Sequence, residues 1–275
     1  MGPRNSAVPT PAKPPQQGKR PLGSGHISTT MAARARPTSS SRDQLLAVVP
    51  ALVPLFPRGG LQRGGVVTVG VGEDASGVGG GGGGGTTLGF ALLAAASTAS
   101  WCAAVGTADP GIVALAELGV DLDRLVLVPR PGPLWAEVVA VLFDGVDVVL
   151  LRPPGSVRAP VARRLAARAR ERRGVLVVLG SRGWPEGADV SLTVEAGAWQ
   201  GVEAGHGHLQ GRHLEVLASG RRAAARPVRV GLWLPAPSGQ VASDDTSGGR
   251  GAQRSSGEVE AEGAAAARHL VPRHP

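Results

Sequence analysis

A chain of 275 residues with 42% hydrophobic and 18% charged residues can bury one domain-sized core, which excludes a wholly disordered polymer. The lone Cys102 excludes a disulfide framework and any multi-cysteine metal site, and its apolar run, Trp101 to Val105, marks it as core. The net charge of +8 admits an acidic partner such as nucleic acid, but apart from Lys13 and Lys19 it is all arginine in a Gly- and Ala-rich chain, the coding bias of a GC-rich genome.

Residues 1–40 are rich in Pro, Ser and charge without periodicity, and are expected to be disordered; Met31 within them is an alternative start. They have no apolar stretch of the secretory kind, and the longest apolar run, Val138 to Leu151, is short and broken by Asp144 and Asp147. No membrane association and a cytoplasmic location are therefore expected. The folded domain is placed at residues 41–237, followed by a second disordered tail, 238–275, of Ser, Gly, Asp and Ala.

Within that domain strands and helices alternate, the pattern of a mainly parallel sheet flanked by helices, an α/β fold. Strands are expected at Val66–Val71, Trp101–Val105, Leu125–Val128, Val146–Leu151 and Val175–Leu179. Helices are expected at Thr86–Ser97, Pro110–Leu118 with proline in the first turn, Leu134–Phe143 and Val157–Arg173. The chain then changes character: Val190–Glu195, Leu209–Ala218 and Val228–Leu234 read as antiparallel strands joined by turns such as Gly205 to Gly207.

One motif is nearly complete. A phosphate-binding loop needs a strand, then GxxxxGK(S/T), then a helix: backbone N–H groups cradle phosphates, Lys reaches the terminal ones, and the hydroxyl holds Mg²⁺. Here Val66–Val71 runs into a GxxxxG match from Gly72 to Gly77, but Val78 stands at the Lys position. A glycine run, Gly79 to Gly85, follows before Thr86 and Thr87 open the helix; counted from Gly80 to Gly85, the Lys position falls on Thr86. Ordering so many glycines costs about 1–2 kcal/mol each, which opposes a preformed phosphate nest. The Mg²⁺-holding Asp at the end of a hydrophobic strand is also replaced: after Val146–Leu151 comes Arg152, whose guanidinium repels a cation. These two losses predict no ATP hydrolysis; no cofactor is expected to be needed, ATP binding without hydrolysis stays open, and Gly72, Gly77, Gly85, Thr86 and Thr87 mark the degenerate loop. The dinucleotide pattern GxGxx(G/A) at Gly70 to Ala75 fails because no helix opens at once.

The chain resembles the RecA family. Gly59 to Gly64 resembles its GGLPxG lead-in, Gly119 to Leu125 its GVDLDRL stretch, Glu73 to Gly77 the ESSG of its phosphate loop, and Val146 to Leu151 its VDVIVVD strand. The C-terminal hairpin, Leu214 to Leu234, follows that family's strands in spacing, so the resemblance covers about residues 50–237. It implies a RecA-like core, yet Thr107 and Asp109 stand where the family carries its catalytic Glu. Only Pro153 to Ser156, and Ser181 to Ala188, remain where its two DNA-binding loops lie. Such a trimmed, Lys-less chain resembles the actinobacterial ImuA-prime accessory proteins, as do residues 115–121, 163–168 and 229–235. That resemblance implies a catalytically inactive adaptor in damage-induced (SOS) translesion synthesis and DNA repair, nucleoid-associated on damage. The implied partners are an ImuB-like relative of Y-family polymerases, an error-prone polymerase III α-type subunit and RecA itself, with ImuB contacted through the C-terminal part.

The remaining features have bland and sharp readings. Arg164, Arg168 and Arg172 share one face of the Val157–Arg173 helix opposite Val161, Leu165 and Ala169, the pattern of a solvated face. Arg221, Arg222, Arg226 and Arg229 crowd into the C-terminal hairpin, where a turn concentrates charge for phosphate or an acidic partner. Trp199 and Trp233 read as packing residues, and Trp233 is also a candidate partner anchor. His206 and His208 have no further ligand nearby in sequence, so no metal site is expected. The alternatives to an adaptor are an unconventional ATPase, with Arg152 or Arg130 in place of Lys, and a DNA-binding repair protein using the Arg-rich hairpin.

Overall fold

The computed structural model describes Gly2 and residues 44–72, 84–180, 184–203 and 206–244. Every element below lies in the unit Ser39–Pro275. Apart from Gly2, the expected N-terminal tail lies outside the described residues.

Strands β1 (Leu45–Leu46) and β2 (Leu61–Gln62) pair as a short antiparallel ribbon around a 3-10 turn, Pro50–Leu55, that buries Ala51, Leu52 and Leu55. Then come β3 (Val66–Val71), α1 (Gly85–Ser97), β4 (Cys102–Val105), α2 (Ile112–Glu117), β5 (Leu125–Val128), α3 (Trp135–Leu142), β6 (Val148–Leu151), α4 (Ala159–Arg172) and β7 (Val175–Leu179). The chain ends in four further strands, β8 (Val190–Glu203), β9 (His206–Gly220), β10 (Val228–Trp233) and β11 (Ala242–Ser243).

Among the described residues nine strands form one sheet in the order β11-β10-β9-β8-β3-β7-β6-β4-β5. From β8 to β5 all neighbours are parallel; from β8 outward to β11 they are antiparallel. The molecule is thus an α/β protein with a large mixed sheet flanked by helices.

Strands β4, β6 and β7 are apolar throughout because both faces are covered. In β6, Val148 and Leu150 join one cluster with Leu88 and Leu92 of α1, while Val149 and Leu151 join another with Val139 of α3 and Leu165 of α4. In β7, Val175 and Val177 side with α1, and Leu176 and Val178 with α4, the two-residue alternation of a pleated strand. Helix α1 lies close on the sheet: a Cβ on Gly89 would stand 2.6 Å from Leu179 Cδ2. No helix among the described residues is long and apolar enough to cross a membrane.

Several expectations need correction. The strands expected from Trp101 and Val146 begin at Cys102 and Val148, because the Trp101 carbonyl instead accepts the Asp147 N–H at 2.9 Å where the chains diverge. The helix expected from Pro110 starts at Ile112, since Asp109 is left-handed (φ 46°) and extended Gly111 is the N-cap; proline stands outside the first turn. Strand β8 runs eight residues past Glu195, and its first half pairs parallel with β3 (Val67 with Val190 through Val71 with Val194) while its other edge pairs antiparallel with β9. The fold also continues past Pro237: β11 adds to β10, and the Asp244 carboxylate meets His213 Nε2 at 2.7 Å.

Candidate functional site

The carboxyl ends of β3, β4 and β6 open on one side of the sheet, the place where open α/β sheets bind ligands. Gly72 closes β3 by donating its N–H to the Val194 carbonyl at 2.8 Å. Helix α1 starts directly beside that end, since a Cβ on Gly85 would lie 3.1 Å from Val71 Cγ2. Its N-cap is Gly84, left-handed (φ 82°), with no side chain capping the first turn. Of the residues expected to form the degenerate loop, Gly72, Gly85, Thr86 and Thr87 are thus brought to this corner; Gly77 lies outside the described residues.

Arg152, the residue after β6, donates from Nη2 to Thr86 Oγ1 at 2.5 Å. The guanidinium therefore lies on the first turn of α1, joining the strand-end position to the helix-start position. Beyond it a cleft of about 410 Å³ is lined by Thr86, Thr87, Gly106, Thr107, Asp109 and Arg152 among others. Thr107 is buried and its hydroxyl has no partner among the described residues. Gly106 (φ 73°) is fixed by close approach: a Cβ there would stand 2.2 Å from the Arg152 carbonyl oxygen.

The hairpin arginines do not form the single cationic cluster expected of them. Arg221 folds back to donate from Nε to the Ala188 carbonyl at 3.3 Å, and Arg222 takes a left-handed backbone (φ 56°). Both line a small cavity of about 60 Å³ at the amino end of β3, opposite the corner described above. Arg229 is held by Glu195 of β8 at 2.7 and 3.2 Å, and that carboxylate raises its already high pKa. Arg226 is exposed. Trp233 is half-buried edge-to-face on His213, with ring centroids 5.6 Å apart.

The α4 arginines are likewise paired. Arg164 meets Glu137 at 3.0 Å, while Arg168 and Arg172 converge on Asp144 beyond α3 at 2.5 and 2.9 Å. The hydrogen bond from Arg164 holds the Glu137 carboxyl below its usual range. These contacts tie α4 to the α3 segment. His206 and His208 are exposed on β9, and no group of three metal-capable side chains occurs among the described residues.

One residue was missed. Arg212 of β9 is 4% exposed, with its guanidinium carbon 5.4 Å from the Trp199 ring centroid. The sequence carried a signal for it: Arg212 falls in the two-residue rhythm of buried Leu214, Val216 and Ala218.

Fold and site together define an α/β protein with a mixed sheet whose central strand leads to a glycine-capped helix start. Residues 54–186 match the family described as the MT3502 N-terminal domain. The chain is also similar to the uncharacterized protein Rv3395c of Mycobacterium tuberculosis, 35% identical over 127 residues, which is 43% of this chain and 61% of that relative. The match thus spans less than two thirds of the relative's length.

Proposed function

We propose that this chain is a catalytically inactive RecA-like accessory protein of the ImuA-prime type, acting as an adaptor in DNA-damage-induced translesion synthesis. The observation that carries this reading is Arg152 on Thr86. In a working phosphate loop this corner holds a Lys ammonium and a carboxylate-ordered Mg²⁺. Here a guanidinium stands where the strand-end carboxylate would be, the Gly80–Gly85 register puts the Thr86 hydroxyl at the Lys position, and the two bond each other. A cation fixed there disfavours Mg²⁺ by like-charge repulsion. The parallel order β8-β3-β7-β6-β4-β5, with β3 leading into α1, supports the RecA-like core. The direct connection from β6 to α4, residues 152–158, leaves no room for a long DNA-binding loop.

The working surface in this reading is the antiparallel extension, where Trp233, Arg222 and Arg226 are reachable by a protein partner, an ImuB-like polymerase relative. The same Arg152 contact favours a second reading, an unconventional ATPase in which Arg152 supplies the missing Lys charge. Two measurements on the purified protein separate them: ATP turnover with and without single-stranded DNA, and co-purification with an ImuB-like partner in the absence of ATP. The adaptor reading expects no turnover and a complex that survives mild salt. Turnover abolished by Arg152→Ala would replace it with the ATPase reading, and failure to co-purify would remove the adaptor role.

A further inference from the structure

The cavity of about 60 Å³ at the amino end of β3 takes no part in the corner at the opposite strand ends. Its floor is apolar, built from the buried side chains of Phe56, Val66, Val67, Val190 and Ala224. Its rim is cationic, with Arg58, Arg221 and Arg222 exposed around it. Among the described residues no ion pair uses these three. Arg58 donates instead to the Gln62 side chain, and Arg221 to the Ala188 carbonyl. The carboxylate in the wall, Asp189, accepts the Val66 N–H at 2.9 Å. The opening therefore combines room for one small aliphatic side chain with an excess of positive charge at its mouth.

The last described strand points toward this opening. Strand β11 runs antiparallel to β10 and packs beside the turn Pro50–Leu55, which leads into Phe56 and Arg58. Asp244 donates its N–H to the Gly231 carbonyl at 3.2 Å, so the chain there heads back along β10 toward Val228. From Gly231 to Val228 is about 10 Å at the rise of a strand. The turn Arg222–Ala225, on the rim of the cavity, lies just ahead of Val228. Farther on, and outside the described residues, 255–267 hold Glu258, Glu260 and Glu262 and no basic residue. Thirteen residues rich in Gly and Ser separate Asp244 from Glu258; a connection of that composition and length has an r.m.s. reach of about 20 Å.

We propose that this cavity is the docking site of the chain's own acidic segment, Glu258 to Glu262. In an extended peptide successive side chains point to opposite sides, so Val259 enters the apolar floor while Glu258 and Glu260 stay at the mouth. There the long arginine side chains of the rim can sweep onto them. Exposed ion pairs are individually weak, but a tether of this length holds the segment at a millimolar local concentration, which fills a weak site. Docking covers Arg222, a residue the adaptor reading leaves open to a partner. The inference thus goes beyond that reading and stands whether or not an ImuB-like partner binds.

The test is disulfide trapping in the full-length protein under oxidised glutathione. One variant carries Ala223→Cys, at an exposed position on the cavity rim, together with Ala261→Cys. The control carries Ala108→Cys, exposed at the carboxyl end of β4, with the same Ala261→Cys. All three alanines lie outside the core, and Cys102 is buried away from the reaction. The 223–261 pair should close within one chain at least ~10-fold faster than the control pair, because docking raises the local thiol concentration. Adding Glu258→Gln, Glu260→Gln and Glu262→Gln, or raising salt to about 1 M, should bring its rate to within ~3-fold of the control. Equal rates for the two pairs would overturn the proposal. So would a 223–261 disulfide formed only between two chains, or a rate indifferent to both salt and the glutamine substitutions.

Discussion

Gly106→Ala probes the corner on which the functional reading rests. Gly106 follows β4 and sits between β5 and β6: its N–H donates to Val128 O at 2.9 Å, and the neighbouring Val105 carbonyl accepts the Arg152 N–H at 2.8 Å. An alanine there adopts φ 73°, a left-handed backbone that costs about 1–2 kcal/mol for an L side chain. Its Cβ would also stand 2.2 Å from the Arg152 carbonyl, a backbone atom that cannot swing aside. Reaching ordinary contact means moving that strand end by more than about 1 Å, which breaks the Val105–Arg152 hydrogen bond at a further ~1 kcal/mol. The sum is about 2–3 kcal/mol. With a urea m-value near 2 kcal/mol/M, the midpoint should fall by about 1–1.5 M. Gly145→Ala is the internal control, because a Cβ there meets nothing within 4 Å; its midpoint should stay within about 0.3 M of wild type. A Gly106→Ala midpoint as close to wild type as that control would refute the close-approach argument.

Other outcomes follow from the same structure. Leu165→Ala on α4 removes a fully buried side chain from the cluster shared with β6 and β7, and should cost about 2–5 kcal/mol in a denaturant melt. Burial, with a smaller contribution from Asp147, pushes the Cys102 thiol from its ordinary 9.0 up to about 12. Iodoacetamide at pH 8 should therefore label the folded protein only as fast as it unfolds, so burst labelling would show that Cys102 is accessible. Between pH 9 and 12 the folded state holds this proton while the unfolded state releases it. Stability should thus fall by up to ~1.4 kcal/mol per pH unit in that window, and Cys102→Ala should flatten the slope. Arg168→Ala on α4 removes contacts with Asp144 and Glu171 from a side chain 24% exposed; the expected loss of about 1 kcal/mol should shrink in 1 M salt.

The amino-acid sequence by itself determined the alternation of elements, because hydrophobic periodicity and glycine or proline punctuation are local. Val66–Val71, Leu125–Val128 and Val175–Leu179 stand where that periodicity puts them, and α1 and α4 start and stop within two residues of expectation. It also placed Arg152 at the strand end and Thr86 at the helix start. That the two side chains touch is decided by β6 and β3 being separated only by β7 in the sheet, a long-range pairing that no local pattern encodes. The same holds for charge. Arg229 and the α4 arginines look like free cations in one dimension, and only the packing of β10 against β9 beside β8, and of α4 against α3, supplies Glu195, Glu137 and Asp144 as partners. Arg212 is the converse case. Its strand was legible, but its burial, with no carboxylate partner among the described residues, depends on that face of the sheet packing beside the start of α1, where Gly84 and Gly197 lie against its guanidinium. Local physics therefore wrote the elements of this protein, and tertiary pairing decided which of its arginines meet carboxylates and that Arg212 is buried with none beside it among the described residues.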